Sequence, residues 1–321
     1  MTETARRYLD FAAEQARGVS AVFDEWATGV GSDPQLLELI DELPRAKRQP
    51  NLVFGASRFL GAGAPPFEQY REWLLAHWPE VRAVALDHAT QTNEAGRCAV
   101  LLPLLASIPG PLALIEVGAS AGLCLYPDRY SYRYSGHPQL DPPDGPSRVV
   151  IDCAVTGDPP IPAELPRVIH RAGVDLNPLD VTDEDQMLWL DSLIWPGQEE
   201  RHGRLRAAIE IARAEPAKIV TGDLNQAVER LVSEAPSDAT VVVFHSAVLN
   251  YLDEDARHAF ERKVRSLDCR WISNEGRGVI PYVDGRLHAR QEQVRGKFVL
   301  SLDGEPRALT GPHGQSLDWL G

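Results

Sequence analysis

The sequence predicts an α/β protein: a Rossmann-like, mostly parallel sheet with an antiparallel C-terminal edge strand, preceded by a helical N-terminal region. Three observations carry that prediction. The apolar run Ala113-Leu114-Ile115-Glu116-Val117 enters the small-residue turn Gly118-Ala119-Ser120-Ala121-Gly122 and then Leu123-Cys124-Leu125-Tyr126. This is the pattern of a buried strand, a tight turn and the start of a helix. Beyond residue 168, strand-length apolar runs alternate with helix-length stretches, as parallel α/β sheets require. Near the end, Phe298-Val299-Leu300-Ser301-Leu302 meets Asp303-Gly304 and a last strand near Arg307 to Thr310, which is a hairpin signal.

Taken in order, residues 1 to about 109 read as helical. Leu9, Ala12, Ala13, Ala16 and Val19 recur at helical spacing, and Ser32-Asp33-Pro34 is a cap with proline in the first turn. Asn51 to Gly55 is a short apolar piece before a Gly/Pro loop. From Phe67 an amphipathic helix runs through Trp78, and Pro79 should end it. Gln91 to Arg97 then leads into an apolar helix over 99–108. After the glycine turn, Asp128 to Tyr134 alternates like a strand with one polar face. Residues 128–168 form an insertion rich in proline. Strands follow at 169–176, 218–223, 240–244 and 270–273, with helices over 182–194, 199–214, 225–232 and 253–266. The expected organisation is a helical lid, residues 1–109, and a core, residues 110–321.

Composition narrows the function. The chain has 321 residues, 44% of them hydrophobic, and a net charge of −14 from 46 acidic and 32 basic residues. Without a Lys/Arg cluster, that charge argues against a nucleic-acid partner and for a small-molecule substrate. No apolar run nears the ~20 residues of a membrane span, and the N-terminus lacks an apolar signal region, so a cytoplasmic protein with no membrane partner is expected. Cys98, Cys124, Cys153 and Cys269 are scattered, which argues against a zinc site or a disulfide framework.

The central turn admits three chemistries. As Glu116-x-Gly118-x-Ser120-x-Gly122 it is a nucleoside site, with glycines admitting the ligand and the acid accepting from its hydroxyls or amine. As Gly118-x-Ser120-x-Gly122 it matches the nucleophile elbow of serine hydrolases. The third reading is close packing of a strand on a helix. Context favours the nucleoside site, because successive strand ends carry Glu116, Asp175 and Asp223. An acid at the second strand end suits ribose hydroxyls, and one at the third suits an adenine amino group. The hydrolase alternative, in the order Ser120, Asp223, His313, lacks an upstream oxyanion loop of the His-Gly-Gly type.

Three blocks are distinctive: Gln91-Thr92-Asn93-Glu94-x-Gly96-Arg97, Glu116 to Leu123, and Gly173-Val174-Asp175-Leu176-Asn177-Pro178-Leu179-Asp180-Val181. Val243-Phe244-His245-Ser246 and Ser273-Asn274-Glu275-Gly276 join them. Over most of residues 50–321 the chain resembles a bacterial family of unknown function, related to class I S-adenosylmethionine-dependent methyltransferases. The resemblance implies S-adenosyl-L-methionine as cofactor and methylation of a small molecule. Several features depart from the usual pattern. Ser120 replaces the middle glycine. The stretch from Gly122 to Asp175 far exceeds the ~20 residues of simple dinucleotide folds. Phe244-His245-Ser246 stands where amino-group methyltransferases carry Asn/Asp-Pro-Pro-Tyr.

Methyl transfer needs positioning above all, and a base only where the nucleophile must lose a proton. His245, following a buried strand, is the first candidate base, against a structural role as cap. Glu275 would orient a substrate amine or that histidine. Asn93, Glu94 and Arg97 form a polar cluster that would face the cofactor, Arg97 covering its carboxylate, against a capping arrangement led by Asn93. Arg58, Arg129 and His313 are weaker candidates, and the tryptophans read as core. A cofactor-binding protein without catalysis is the remaining alternative.

Overall fold

The computed structural model describes residues 1–91, 93–288 and 291–320; Thr92, within the first distinctive block, lies outside them. Helices α1 (Glu3–Phe11), α2 (Ala21–Ser32), α3 (Pro34–Asp41), α4 (Pro50–Phe59) and α5 (Phe67–Asp87) open the chain. Helix α6 (Cys98–Ser107) leads into β1 (Leu112–Val117), followed by β2 (Ser131–Tyr134), β3 (Val150–Thr156) and β4 (Val168–Asp175). Helices α7 (Glu184–Leu193) and α8 (Glu199–Ala214) precede β5 (Lys218–Thr221). Then α9 (Leu224–Ser233), β6 (Thr240–Ser246), α10 (Glu254–Ser266) and β7 (Arg270–Gly276) alternate, and β8 (Phe298–Leu302), β9 (Glu305–Thr310) and β10 (Ser316–Trp319) close the order. Among the described residues, no helix is long and apolar enough to cross a membrane.

The chain divides into two compact units, Met1–Thr92 with Thr182–Gly203, and Asn93–Val181 with Arg204–Gly321. The polar cluster at 93–97 and helix α6 therefore belong with the sheet, while α7 belongs with the N-terminal helices.

In the first unit the helix starts follow their sequence signals. Ser20 caps α2 through Phe23 N, and Asp33 caps α3 through Gln35 N and Leu36 N with Pro34 in the first turn. The short apolar piece at Asn51 is part of α4, begun by Pro50. Pro79 does not end α5; His77 leaves helical geometry (φ −117°, ψ 16°) and absorbs the missing N–H as a kink. The core is aromatic, with Trp26 stacked on Tyr70 at 3.6 Å and Phe54 edge-on to both. Arg58 donates to the carbonyls of Ser192 and Ile194 within this unit, so it is a structural cation.

In the second unit, among the described residues, ten strands form one sheet, in the order β2-β3-β10-β9-β8-β7-β6-β1-β4-β5. Strands β5, β4, β1, β6 and β7 pair in parallel, and the antiparallel pairs β7–β8, β8–β9 and β9–β10 follow. This is the α/β architecture the sequence predicts, with an antiparallel C-terminal portion. Strand β10 is an addition: it pairs in parallel with β3, which binds β2, so the insertion extends the sheet at its far edge. The chain order of the parallel strands reverses between β1 and β6. Ligands of open α/β sheets bind beyond the C-terminal strand ends at such a reversal.

Side chains alternate across β1. Ile115 and Val117 join Ala172, Val174 and Val243 in one core with Leu231 and Phe260. Glu116 therefore points to the opposite face, and its register with Gly173 puts Gly173 and Asp175 on that same face.

Candidate functional site

The turn after β1 is left-handed at alternate residues, with φ of +73° at Gly118, +51° at Ser120 and +72° at Gly122. A Cβ at Gly118 would lie 2.4 Å from Val248 Cγ2, and one at Gly122 would lie 2.7 Å from Ile219 Cδ1. Both positions thus favour glycine for φ, and Gly118 for space as well, since Val248 crowds it with both Cγ atoms and its Cβ. The turn is clamped on both sides. Gly118 N and Ala119 N donate to Val174 O at 2.8 and 3.1 Å, and Ser120 N donates to Asp175 Oδ2 at 2.8 Å. Asn93 Nδ2 donates to Ala119 O, while Asn93 Oδ1 accepts from Leu123 N, each at 3.0 Å. Asn93 is thus neither a helix cap nor solvent-facing; it is a brace for the turn.

The expected helix after the turn is absent. Leu123–Leu125 makes a single 3-10 turn, Tyr126 leaves helical geometry (φ −116°, ψ 41°), and Pro127 follows. The apolar residues that suggested a helix are buried instead against the insertion. There Tyr130 donates to Leu123 O, Tyr132 to Pro127 O and Tyr134 to Ala99 O. The turn therefore does not open an α-helix, and the strand–turn–helix context of a nucleophile elbow at Ser120 is missing.

Glu116 and Asp175 come together. Glu116 is 6% exposed, and its Oε2 is buried without a hydrogen-bond partner. Burial pushes its carboxyl well above the usual carboxylate range; neighbouring Cys124 and Asp175 push the same way, and Arg97 opposes them. Asp175 is half-buried, and its Oδ1 accepts from Asn177 N at 2.8 Å. Each Asp175 oxygen thus has one N–H donor and an acceptor site to spare. Asp223 caps α9, with Oδ1 accepting from Gln226 N at 3.2 Å.

The rest of the polar cluster is structural. Arg97 Nε donates to Pro312 O at 3.0 Å and its Nη1 to Ser246 O at 2.9 Å, so these donors hold loops together. Glu94 Oε1 accepts from Gly96 N and from Arg204 Nε at 2.9 Å, both side chains being largely buried. It is Glu94 that caps the short 3-10 turn Ala95–Arg97.

His245 and Glu275 lie on the other face of the sheet, with Val117 and Val243. Trp271 Nε1 donates to His245 Nε2 at 3.0 Å, which fixes the imidazole proton on Nδ1. That Nδ1–H donates to Glu275 Oε1 at 2.7 Å, and the same oxygen accepts from Val248 N and Leu249 N at 2.9 and 3.1 Å. Both ring nitrogens are occupied and His245 has no exposed surface. The geometry therefore corrects the expectation of a base at His245, while Glu275 orients that histidine, the second of the two roles expected of it, rather than a substrate amine. Together they brace the turn after β6, where Ala247 is left-handed at φ +57° and Val248 packs on Gly118.

Val248 went unnoticed in the sequence. Cys124, read there only as one of four scattered thiols, donates to Glu94 O beside Glu116, and Ser246 and Asn274 of the distinctive blocks join Thr310 in a chain in which Thr310 Oγ1 donates to Asn274 Oδ1 and Asn274 Nδ2 to Ser246 Oγ. Only the small residues Ser246 and Ala247 after the β6 run hinted at a second turn. Arg129 pairs with Glu215, and His313 sits in the loop after β9, its N–H on Gln315 Oε1. Among the described residues, no group of three or more His, Cys, Asp or Glu is placed to hold a metal ion.

Comparison with curated proteins finds no match. A family model described as "Uncharacterized protein conserved in bacteria (DUF2332)" matches residues 5–319. The chain belongs to that bacterial family.

Proposed function

We propose that the second unit binds S-adenosyl-L-methionine at the C-terminal ends of β1, β4 and β5 and that the protein is a cytoplasmic methyltransferase acting on a small molecule. The observation that carries this reading is the pairing of Glu116 and Asp175 on one face, beside a left-handed glycine turn, where the strand order reverses. The donor set suits the cofactor. Asp175 retains acceptor capacity toward two ribose hydroxyls, and the orphaned Glu116 Oε2 calls for a donor such as an amino group. Asp223, at the next strand end, would meet the adenine amino group.

Bound S-adenosylmethionine supplies an electrophilic methyl group. The protein's part is to hold donor and acceptor in line, which can contribute most of the acceleration without a base. His245 contributes rigidity to the Ala247–Leu249 turn and no proton transfer. The occupied imidazole also supports a second reading, a cofactor-binding protein without catalysis. Isothermal calorimetry with S-adenosylmethionine and its demethylated product tests both: binding of the two with methyl transfer in a small-molecule screen supports the enzyme. Binding without transfer supports the second reading, and no binding overturns both.

A further inference from the structure

We propose that Glu116 is uncharged in the free protein and releases its proton when the amino group of a bound nucleoside cofactor, as an ammonium, reaches it. Ligand binding then expels a proton and strengthens as pH rises. The proposal rests on the cofactor reading above and adds the charge that the ligand must bring.

The Glu116 carboxyl faces one cation, Arg97, whose bonds to carbonyls turn donors elsewhere, and its own Oε2 is buried with no hydrogen-bonded partner. The titratable groups facing it are the Cys124 thiol from the 3-10 turn, the Asp175 carboxylate from β4, the Tyr126 and Tyr130 hydroxyls after the turn, and Arg97 before α6. Cys98 of α6 stands behind Cys124. Arg97 is the one cation of this set, and its Nε and Nη1 already serve the carbonyls of Pro312 and Ser246. An ionised Glu116 would be a buried carboxylate beside the half-buried Asp175, with no donor on Oε2, a costly arrangement. The direction of its titration agrees, since burial holds the carboxyl well above its usual range.

An ammonium at hydrogen-bond distance reverses the balance, because an opposite charge favours the ionised form. The exchange is balanced: neutral Glu116 and the cationic ligand give an ion pair and one proton, which passes to the buffer. Between the bound and free titration points, affinity should rise by up to about tenfold per pH unit. Below that window Glu116 remains protonated in both states, and above it the carboxyl is already ionised, so the slope vanishes.

Two measurements test this on the full chain. Infrared spectra of the ligand-free protein at neutral pH should show a buried protonated-carboxyl band that shifts on heavy-carbon labelling of glutamate and is lost in Glu116→Gln. No such band overturns the proposal whether or not any ligand binds, and the labelling arm stands even if the variant does not fold. Calorimetry with S-adenosylmethionine in two buffers of different ionisation enthalpy should then give release of about one proton in the wild type and none in Glu116→Gln. Binding with a buffer-independent enthalpy overturns the proposal and leaves the cofactor reading standing. No binding at all overturns the cofactor reading and the ligand half of the proposal with it.

Discussion

Replacing Gly118 with alanine probes the contact that joins the turns after β1 and β6. Two penalties add. The backbone at Gly118 has φ +73°, and forcing an L-residue there costs about 1–2 kcal/mol. The new methyl would sit 2.4 and 2.7 Å from the two Cγ atoms of Val248. Overpacking of that kind costs about 1–3 kcal/mol. Gly118→Ala should therefore lower stability by about 2–5 kcal/mol. Val248 is half-buried, so Val248→Ala alone should cost only about 1 kcal/mol. In the double variant the two Cγ contacts are gone, while the Cβ at position 248 stays 3.1 Å from the new methyl and the backbone penalty remains, so the pair should couple favourably by most of that ~1–3 kcal/mol. Urea unfolding of the four proteins, read at constant slope, measures this. Strict additivity, or a Gly118→Ala cost below about 0.5 kcal/mol, would refute the described contact.

Three further outcomes follow from the buried polar groups. Nitrogen NMR should find the His245 proton on Nδ1, because Trp271 Nε1 donates to Nε2; a proton on Nε2 would contradict the network. Asn93→Ala removes both hydrogen bonds that brace Ala119 and Leu123 and should cost about 1–3 kcal/mol in thermal or urea unfolding. Glu116→Gln should change how stability depends on pH. The folded-state carboxyl titrates above its unfolded value near pH ~4.3, so the native state binds the extra proton and wild-type stability falls as pH rises through that window. The variant lacks this slope, of at most about 1.4 kcal/mol per pH unit, so it should gain on the wild type as pH increases. Parallel stability curves would show that Glu116 is not held neutral.

The sheet and the turn were legible because their signals are local. A β-branched run such as Val241-Val242-Val243 has few alternatives to a strand buried on both faces, and Glu116 to Gly122 shows both the end of a strand and a need for left-handed backbone. The missing helix was harder to see. Leu123 to Tyr126 has helix-compatible side chains, yet Pro127 and the burial of Tyr130, Tyr132 and Tyr134 draw the chain into the insertion instead. His245 failed for a different reason. In β6 both faces are apolar, so nothing local tells whether residue 245 shares a face with Glu116, and the pairing of Glu116 with Phe244 puts it on the opposite one. Pairing of β10 with β3 depends on contacts far apart in the chain, beyond the reach of periodicity. For the candidate site, residue types at the strand ends pointed to Glu116 and Asp175, while the bracing role of Asn93 and the packing of Val248 on Gly118 required coordinates.

The most direct measurement is a calorimetric titration of the intact protein with S-adenosylmethionine and its demethylated product, repeated with Asp175→Asn, which keeps an acceptor for Ser120 N, loses the one for Asn177 N and removes the charge. The account predicts that the wild type binds both nucleosides and that the substitution weakens each by about 1–3 kcal/mol. Absence of wild-type binding, or equal affinity in the variant, would contradict it.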